Sequence, residues 1–240
     1  VALPFFYHPF SDSPKGELQL EEDSSRHIAQ VLRMREGEQM MLTNGQGSRL
    51  TATLTESHKK HCRVQVNQEE RVEANSHRLT LAVGMLKNAS RMEWLLEKAT
   101  EMGVHRIVPL ETQRTIREKF RQDRMQGILI SAMLQSQQCW LPILSAPTSY
   151  STVWQQDFMS AAGSRFIAHC LPTPKENWGS VAAQPGGDTL LCIGPEGDFT
   201  ESEIEEALAA GATAISLGEN RLRTETAAMA AVACFYLING

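Results

Sequence analysis

The chain has 240 residues, 42% of them hydrophobic, enough for one large domain or a small domain joined to a medium one and too apolar for a disordered protein. No apolar run approaches the ~20 residues of a membrane span, and the opening VALPFFYHPF has neither a basic leader nor a long apolar segment, so a cytoplasmic protein without a signal peptide is expected. A net charge of −5 is mildly unfavourable for a nucleic-acid binder, and five cysteines without C-x-x-C spacing argue against disulfides and zinc; no metal is expected.

In chain order, SSRHIAQVLRMREG predicts a short helix ending at Gly37, capped by Asp23 or Ser24, with Ile28, Val31 and Leu32 as its apolar stripe. QMMLTN, SRLTATLTE and HCRVQVNQ alternate with period two and predict strands between residues 39 and 68, the first two joined through Asn44-Gly45-Gln46-Gly47. This first part reads as a small β-rich domain. The polar stretch EERVEANSHR (69–78) is the candidate linker.

Strand and helix then alternate. RLTLAVGML predicts a buried strand, and SRMEWLLEKATEMG a helix capped by Ser90 with Met92, Leu95, Leu96, Ala99 and Met102 on one face. HRIVPL predicts a strand and EKFRQDRMQGILISAMLQSQQCW a helix despite Gly127. RFIAHCL, TLLCIG and TAISL predict three more strands, and ESEIEEALAAG and TETAAMAAVACFYLI two more helices. This order implies an α/β domain with a mainly parallel sheet, whose ligands bind in the loops beyond the carboxyl ends of the strands.

Three such loops have unusual sequences. Ala168-His169-Cys170-Leu171-Pro172 follows the first of these strands, though a single histidine at a strand end is more often structural than catalytic. Gly194-Pro195-Glu196-Gly197-Asp198-Phe199 follows the second and runs into Thr200, a helix cap with Glu203 three residues on as its capping-box partner. Read alone, it is also an ordinary tight turn. Gly218–Thr226 follows the third, with Arg221, Arg223 and Glu225 beside a helix start that Thr224 could cap; a structural Arg223–Glu225 ion pair is the competing reading.

LLCIGPEGDFTESEIEEALAAGATAISLGENRLRTETAAMAA, with SRMEWLLEKATEMGVHRIVPLETQRT in the middle and HIAQVLRMREGE near the start, resembles the RsmE-type ribosomal RNA methyltransferases of the SPOUT superfamily. The resemblance spans most of the chain in the right order. It implies a PUA-like β-barrel over 1–72 that holds RNA, and a SPOUT α/β methyltransferase domain over 73–240. A deep trefoil knot and the S-adenosylmethionine site would lie within about 165–240; knots are otherwise essentially absent among folds. It further implies a homodimer that methylates N3 of a uridine in 16S, small-subunit ribosomal RNA. By position, His169 and Leu171, then Ile193, Gly194, Glu196 and Gly197, then Leu217, Gly218, Leu222, Arg223 and Thr226 fall on the family's cofactor-binding loops, with Leu217 and Leu222 against the adenine faces. Two positions depart from the family pattern. Leu134-Gln135-Ser136-Gln137-Gln138 lacks the Glu and Arg that many relatives carry, and Asp198 stands where glycine is frequent.

N3 of uridine attacks a methyl group only after losing its proton, at a pKa of about 10, near that of a phenol. A cation beside O2 or O4 lowers that value, and Arg223 is the candidate, with Glu225 orienting it or taking the proton. Charge distribution indicates where RNA would lie. Residues 81–126 carry nine basic and six acidic side chains, and residues 127–240 four basic and eleven acidic. Arg26, Arg33 and Arg35 in the first domain and Arg91, Arg114, Arg117 and Lys119 in the second are the candidate RNA contacts, each by itself also readable as part of a solvated face. Another SPOUT specificity, or an RNA-binding protein that has lost catalysis, are the alternatives. A phosphate-binding hydrolase is disfavoured by the absence of a P-loop and a G-x-S-x-G elbow.

Overall fold

The computed structural model describes residues 3–11, 14, 16–116, 119–157, 163–183 and 187–239. The chain divides into two units, Val1–Ala74 with Met133–Leu141, and Asn75–Ala132 with Pro142–Gly240.

In the first unit β1 (Phe5–Tyr7), β2 (Glu17–Gln19), β3 (Gln39–Thr43), β4 (Ser48–Glu56) and β5 (Arg63–Arg71) form one sheet in the order β1-β3-β4-β5-β2. Burial alternates along β4, as period-two patterning requires of a sheet with one buried face, and places Leu50, Ala52 and Leu54 with Met40, Leu42 and Val64 in a closed core. The β3–β4 turn works as its sequence indicates: Gly45 and Gly47 take positive φ, and the Asn44 carboxamide accepts from the Gln46 and Ser48 amides. Trp140 lies over this turn and donates from Nε1 to the Val72 carbonyl at 3.1 Å. The divergent Gln135-Ser136 stretch thus belongs to this unit.

The first helix departs from expectation. α1 (Glu22–Arg26) gives way to a wider π-type turn over His27–Leu32, which Arg33 ends in the left-handed region at φ 53°, short of Gly37. The wider winding carries Val31 and Leu32 off the core face, so they are exposed, and only Ile28 of the expected stripe is buried; Met34 fills the place. Glu21 holds the cap position without a side-chain bond, leaving Asp23 and Ser24 inside the first turn. The candidate linker is shorter than it reads, because β5 keeps pairing as far as Arg71. β1 and β2 are too short for periodicity to reveal.

The second unit holds β6 (His77–Gly84), α2 (Ala89–Glu101), β7 (Arg106–Glu111), α3 (Gln122–Gln135, whose last residues from Met133 on belong to the first unit), β8 (Ile143–Leu144), β9 (Thr148–Ser149) and α4 (Tyr150–Val153). It continues with β10 (Ser164–Ala168), β11 (Glu176–Asn177), α5 (Trp178–Val181), β12 (Gly187–Ile193), α6 (Glu201–Ala209), β13 (Thr213–Ser216) and α7 (Thr224–Asn239). The sheet order is β11-β13-β10-β12-β6-β7-β8, and every pairing is parallel. Leu79 to Gly84 are buried without a break, as a central strand of a parallel sheet covered on both faces demands. Met92, Leu95, Leu96 and Ala99 bury the predicted face of α2, while Met102 closes the helix half-buried. Asn88, not Ser90, caps α2, accepting from the Ser90 and Arg91 amides, because Ser90 is already helical. α3 likewise starts later than predicted.

Parallel strands put all their carboxyl ends along one edge, and the turn after β12 is fixed there on three sides. Thr200 and Glu203 form the predicted capping box, and the buried Glu203 carboxylate also accepts from the Gln113 amide at 2.8 Å. Arg114 donates to the Gly197 and Phe199 carbonyls. Pro195 abuts Gly84 so closely that a Cβ there would lie 2.4 Å from the proline nitrogen. Gly84→Ala is therefore expected to lower unfolding stability by about 1–3 kcal/mol, the usual cost of overpacking a tight site, as a lower urea midpoint at unchanged slope.

Candidate functional site

A cavity of about 520 Å³ opens where the loops after β10, β12 and β13 meet, a volume within the usual range of ~300–1,000 Å³ for small-molecule sites. Of the residues marked by sequence, His169, Ile193, Gly194, Glu196, Leu217, Gly218, Leu222 and Arg223 line it. Leu171, Gly197 and Thr226 do not. Leu171 turns to the apolar core beneath β10, Gly197 lies under the Arg114 side chain, and Thr226 is exposed on the first turn of α7.

The walls lack internal partners at telling points. Both ring nitrogens of the buried His169 have no hydrogen-bond partner among the described residues. Burial, reinforced by Lys175 and opposed by Asp198, holds this imidazole below the ordinary histidine pKa. Beside it the Cys170 thiol is pushed up by burial and by Asp198, so it is not an activated thiolate.

Asp198 matters more than a change at a helix entry suggests. Its φ of 63° is the left-handed conformation that glycine adopts freely and other residues rarely. Here the aspartate carboxylate accepts from the Cys170 amide and from its own neighbour Phe199, both at 2.8 Å, tying the first loop to the second. The sequence signal was the substitution itself, a side chain kept where backbone strain favours none.

The third loop corrects two expectations. Thr224 is the first helical residue of α7 rather than its cap, and the Arg223 carbonyl accepts the Ala227 amide. Glu225 does not pair with Arg223. It is buried, faces Arg91 with Oε1 at 3.5 Å from Nη1, and has no partner for Oε2 among the described residues. Arg221, marked with its loop, lines the cavity, and so do Arg91 and Asn220, neither of which had been assigned to it. Periodicity gives no sign of Arg91 beyond a cation in the first turn of a helix, where the macrodipole disfavours one.

The other candidate RNA contacts are dispersed. Arg26 pairs with Glu22 and Asp23, Arg33 and Arg35 are exposed at the end of the first helix, and Lys119 is exposed. Arg114 is engaged as the loop clamp, and Arg117 lies outside the described residues. No group of three or more His, Cys, Asp or Glu able to hold a metal, and no helix long and apolar enough to cross a membrane, occurs among the described residues.

Residues 73–236 match the RNA methyltransferase domain family, and residues 20–67 the RNA methyltransferase PUA domain. The chain belongs to the RNA methyltransferase family. A probable rRNA methyltransferase from Porphyromonas gingivalis superposes with a TM-score of 0.88 at 36% identity, covering 99% of this chain and 98% of that one. Ribosomal RNA small subunit methyltransferase E from Neisseria gonorrhoeae, solved bound to S-adenosyl methionine, gives 0.86 at 31%, covering 97% and 96%. A relative of the same name from Synechocystis is 30% identical over 86% of this chain and 68% of its own length. The RNA methyltransferase fold thus extends over both units, α/β with a parallel sheet in the second and a PUA-like domain in the first.

Two outcomes are expected of the site. Asp198→Ala removes two charge-assisted bonds worth roughly 1.5–3 kcal/mol each while keeping the disfavoured φ, so calorimetry should show weaker ligand binding together with a lower melting temperature. The folded state keeps His169 neutral, so the unfolded chain takes up the proton first as pH falls. Stability should therefore decline below pH ~6.5 and level off below the depressed folded value, and His169→Gln should flatten part of that decline in urea titrations. His8 and His105, also lowered mainly by burial, supply the remainder.

Proposed function

We propose that this RNA methyltransferase transfers a methyl group from S-adenosylmethionine to N3 of a uridine in 16S, small-subunit ribosomal RNA. The single observation that carries the reading is the cavity where the loops after β10, β12 and β13 meet, in a chain matched almost end to end by relatives named for the small-subunit reaction, one of them solved with this cofactor.

The residues present fit the cofactor. His169 offers two unpartnered ring nitrogens, Leu217 and Leu222 offer apolar contact for a flat base, and Gly218 at φ 118° keeps its backbone open to a ligand. Ile193, Gly194 and Glu196 complete the wall. Leu171, Gly197 and Thr226 would serve by shaping the three loops. When bound, S-adenosylmethionine supplies an electrophilic methyl, to which the N3 electron pair bonds as the methyl–sulfur bond breaks with its pair passing to sulfur. Arg223 lines the cavity and is exposed, and its guanidinium has no ion-pair or hydrogen-bond partner among the described residues, which leaves it open to an incoming base. Glu225 enters through Arg91 rather than through Arg223.

Residues 1–72 are read as the RNA-holding module, its sheet closing as a PUA-like barrel, and 73–240 as the catalytic domain. A deep trefoil knot within about 165–240 is supported by the path of the chain. β13 lies beyond β10, yet α7 returns to pack on β6 and α2, and the β10–β12 connection lies against it through Trp178, which donates to the Ala231 carbonyl and stacks on Phe235. A homodimer is supported by exposed Tyr236, Leu237 and Ile238 on α7 and Trp94 on α2, an apolar set that solvent disfavours. Arg26, Arg33, Arg35, Arg91, Arg117 and Lys119 remain the proposed RNA side, and Arg114 contributes there through the loop it clamps. A ribosomal RNA substrate supports the cytoplasmic location expected from the sequence.

The test is transfer of labelled methyl to small subunits lacking the modification, with the product base identified by mass. Methyluridine is expected, with Arg223→Ala slowing transfer about 10²-fold, the usual scale for losing one transition-state donor. Label on ribose or another base refutes the specificity, and bound cofactor without transfer favours a silent RNA-binding protein.

A further inference from the structure

Arg91 occupies a place that neither helix formation nor solvation explains. It sits in the first turn of α2, whose amides already point their positive end at it, and no acidic residue of that turn offsets it. Its guanidinium is partly exposed at the cavity wall, with Nη1 3.5 Å from the Glu225 carboxylate. Glu225 is buried, its side chain 11% exposed, stands in the first turn of α7 where the helix favours an anion, and leaves Oε2 without a partner among the described residues. The cavity is lined by Arg91 and not by Glu225, so the guanidinium is the member of the pair that a ligand would meet.

Resting on the methyltransferase reading above, we propose that Arg91 is a catalytic residue that donates hydrogen bonds to a carbonyl oxygen of the target uridine, and that Glu225 is the positioning residue that aims it. Glu225 faces one end of the planar fork, and a guanidinium has five donors, so others remain free to face the cavity. The step they assist is loss of the N3 proton. The N3–H bond breaks, its pair stays on the ring and spreads to O2 and O4, and the proton passes to solvent water. Donors already aimed at that oxygen need no reorganisation as charge develops, whereas the exposed and unpartnered Arg223 must be ordered first. The pair also suits a positively charged methyl donor. A lone arginine would repel it before reaction, but an arginine backed by a buried carboxylate presents donors with little net charge. His169, Glu196, Asp198, Arg221 and Arg223 also face the cavity, and none of these is paired with Arg91.

The experiment compares wild type, Arg91→Ala, Arg91→Lys, Glu225→Gln and the double variant Arg91→Ala/Glu225→Gln. The double variant and Arg91→Lys guard against misfolding, since Arg91→Ala alone strands a buried carboxylate. S-adenosylhomocysteine binding is measured by calorimetry, and single-turnover methyl transfer to unmodified small subunits is followed from pH about 6.5 to about 9.5, a range approaching the base's own pKa from below. Binding is expected to change by less than about threefold in every variant, while transfer near neutrality falls on the order of 10²-fold for Arg91→Ala and about tenfold for Glu225→Gln. The wild-type rate levels off within the range, whereas both variants keep climbing about tenfold per pH unit, as an unassisted base requires. Added guanidinium ion restores part of the Arg91→Ala rate only while Glu225 is present to hold it. An Arg91→Ala enzyme with the wild-type pH profile overturns the proposal, and so does loss of S-adenosylhomocysteine binding, which would make Arg91 a cofactor ligand. A wild type that binds S-adenosylhomocysteine but methylates no subunit refutes the underlying reading instead, and this proposal with it.

Discussion

Pro195 rests on Gly84 at a distance that no larger residue allows, and the loop geometry at the cavity follows from that contact. β12 lies beside β6, so the turn that leaves β12 must pass over the end of β6. The missing side chain lets it pass at backbone range. Once there, the turn is held from one side by Arg114, from beneath by Glu203 and from the β10 side by Asp198. Each of these is a charged side chain spent on backbone groups. Together with the burial of Phe199 in the core, that makes the loop rigid enough to form a wall.

The same logic separates what the sequence reveals from what it conceals. Long elements with one strong period are legible: β6, α2, β7, β12, α6 and α7 all fall where their patterns put them, because burial on a sheet or helix face selects residues one by one. The first helix is misread because a wider turn changes which residues share a face, and no composition signal announces that. The loops of the site are legible as loops, since their glycines and caps have local causes. Their partnerships are not. Glu225 has a neighbouring arginine two residues away and uses one far off in the chain instead. An ion pair between two helix starts is invisible until the sheet order brings them together.

Asp198 shows the limit from the other side. In sequence it is only an aspartate where the family pattern has glycine, yet the backbone there is left-handed and the carboxylate bridges two loops. A residue that accepts strain must be repaid by contacts, so a side chain at a glycine position is itself a signal of bonding.

The distribution of charge gives the acidic second half a physical purpose. Residues 127–240 hold only four basic side chains against eleven acidic ones. Two of the four are used internally, Arg165 on the Ala210 carbonyl and Lys175 on the Leu171 carbonyl, while Arg221 and Arg223 both line the cavity. With Arg91 they place three arginines on the wall of the cavity. For an enzyme proposed to act on one base of a large RNA, that arrangement is preferable to a uniformly basic face. Nonspecific adhesion scales with every exposed cation, whereas productive binding needs cations only where the reacting nucleotide must enter. Net acidity is thus compatible with RNA chemistry here, since it is the placing of cations and not their total that decides where a nucleotide is held.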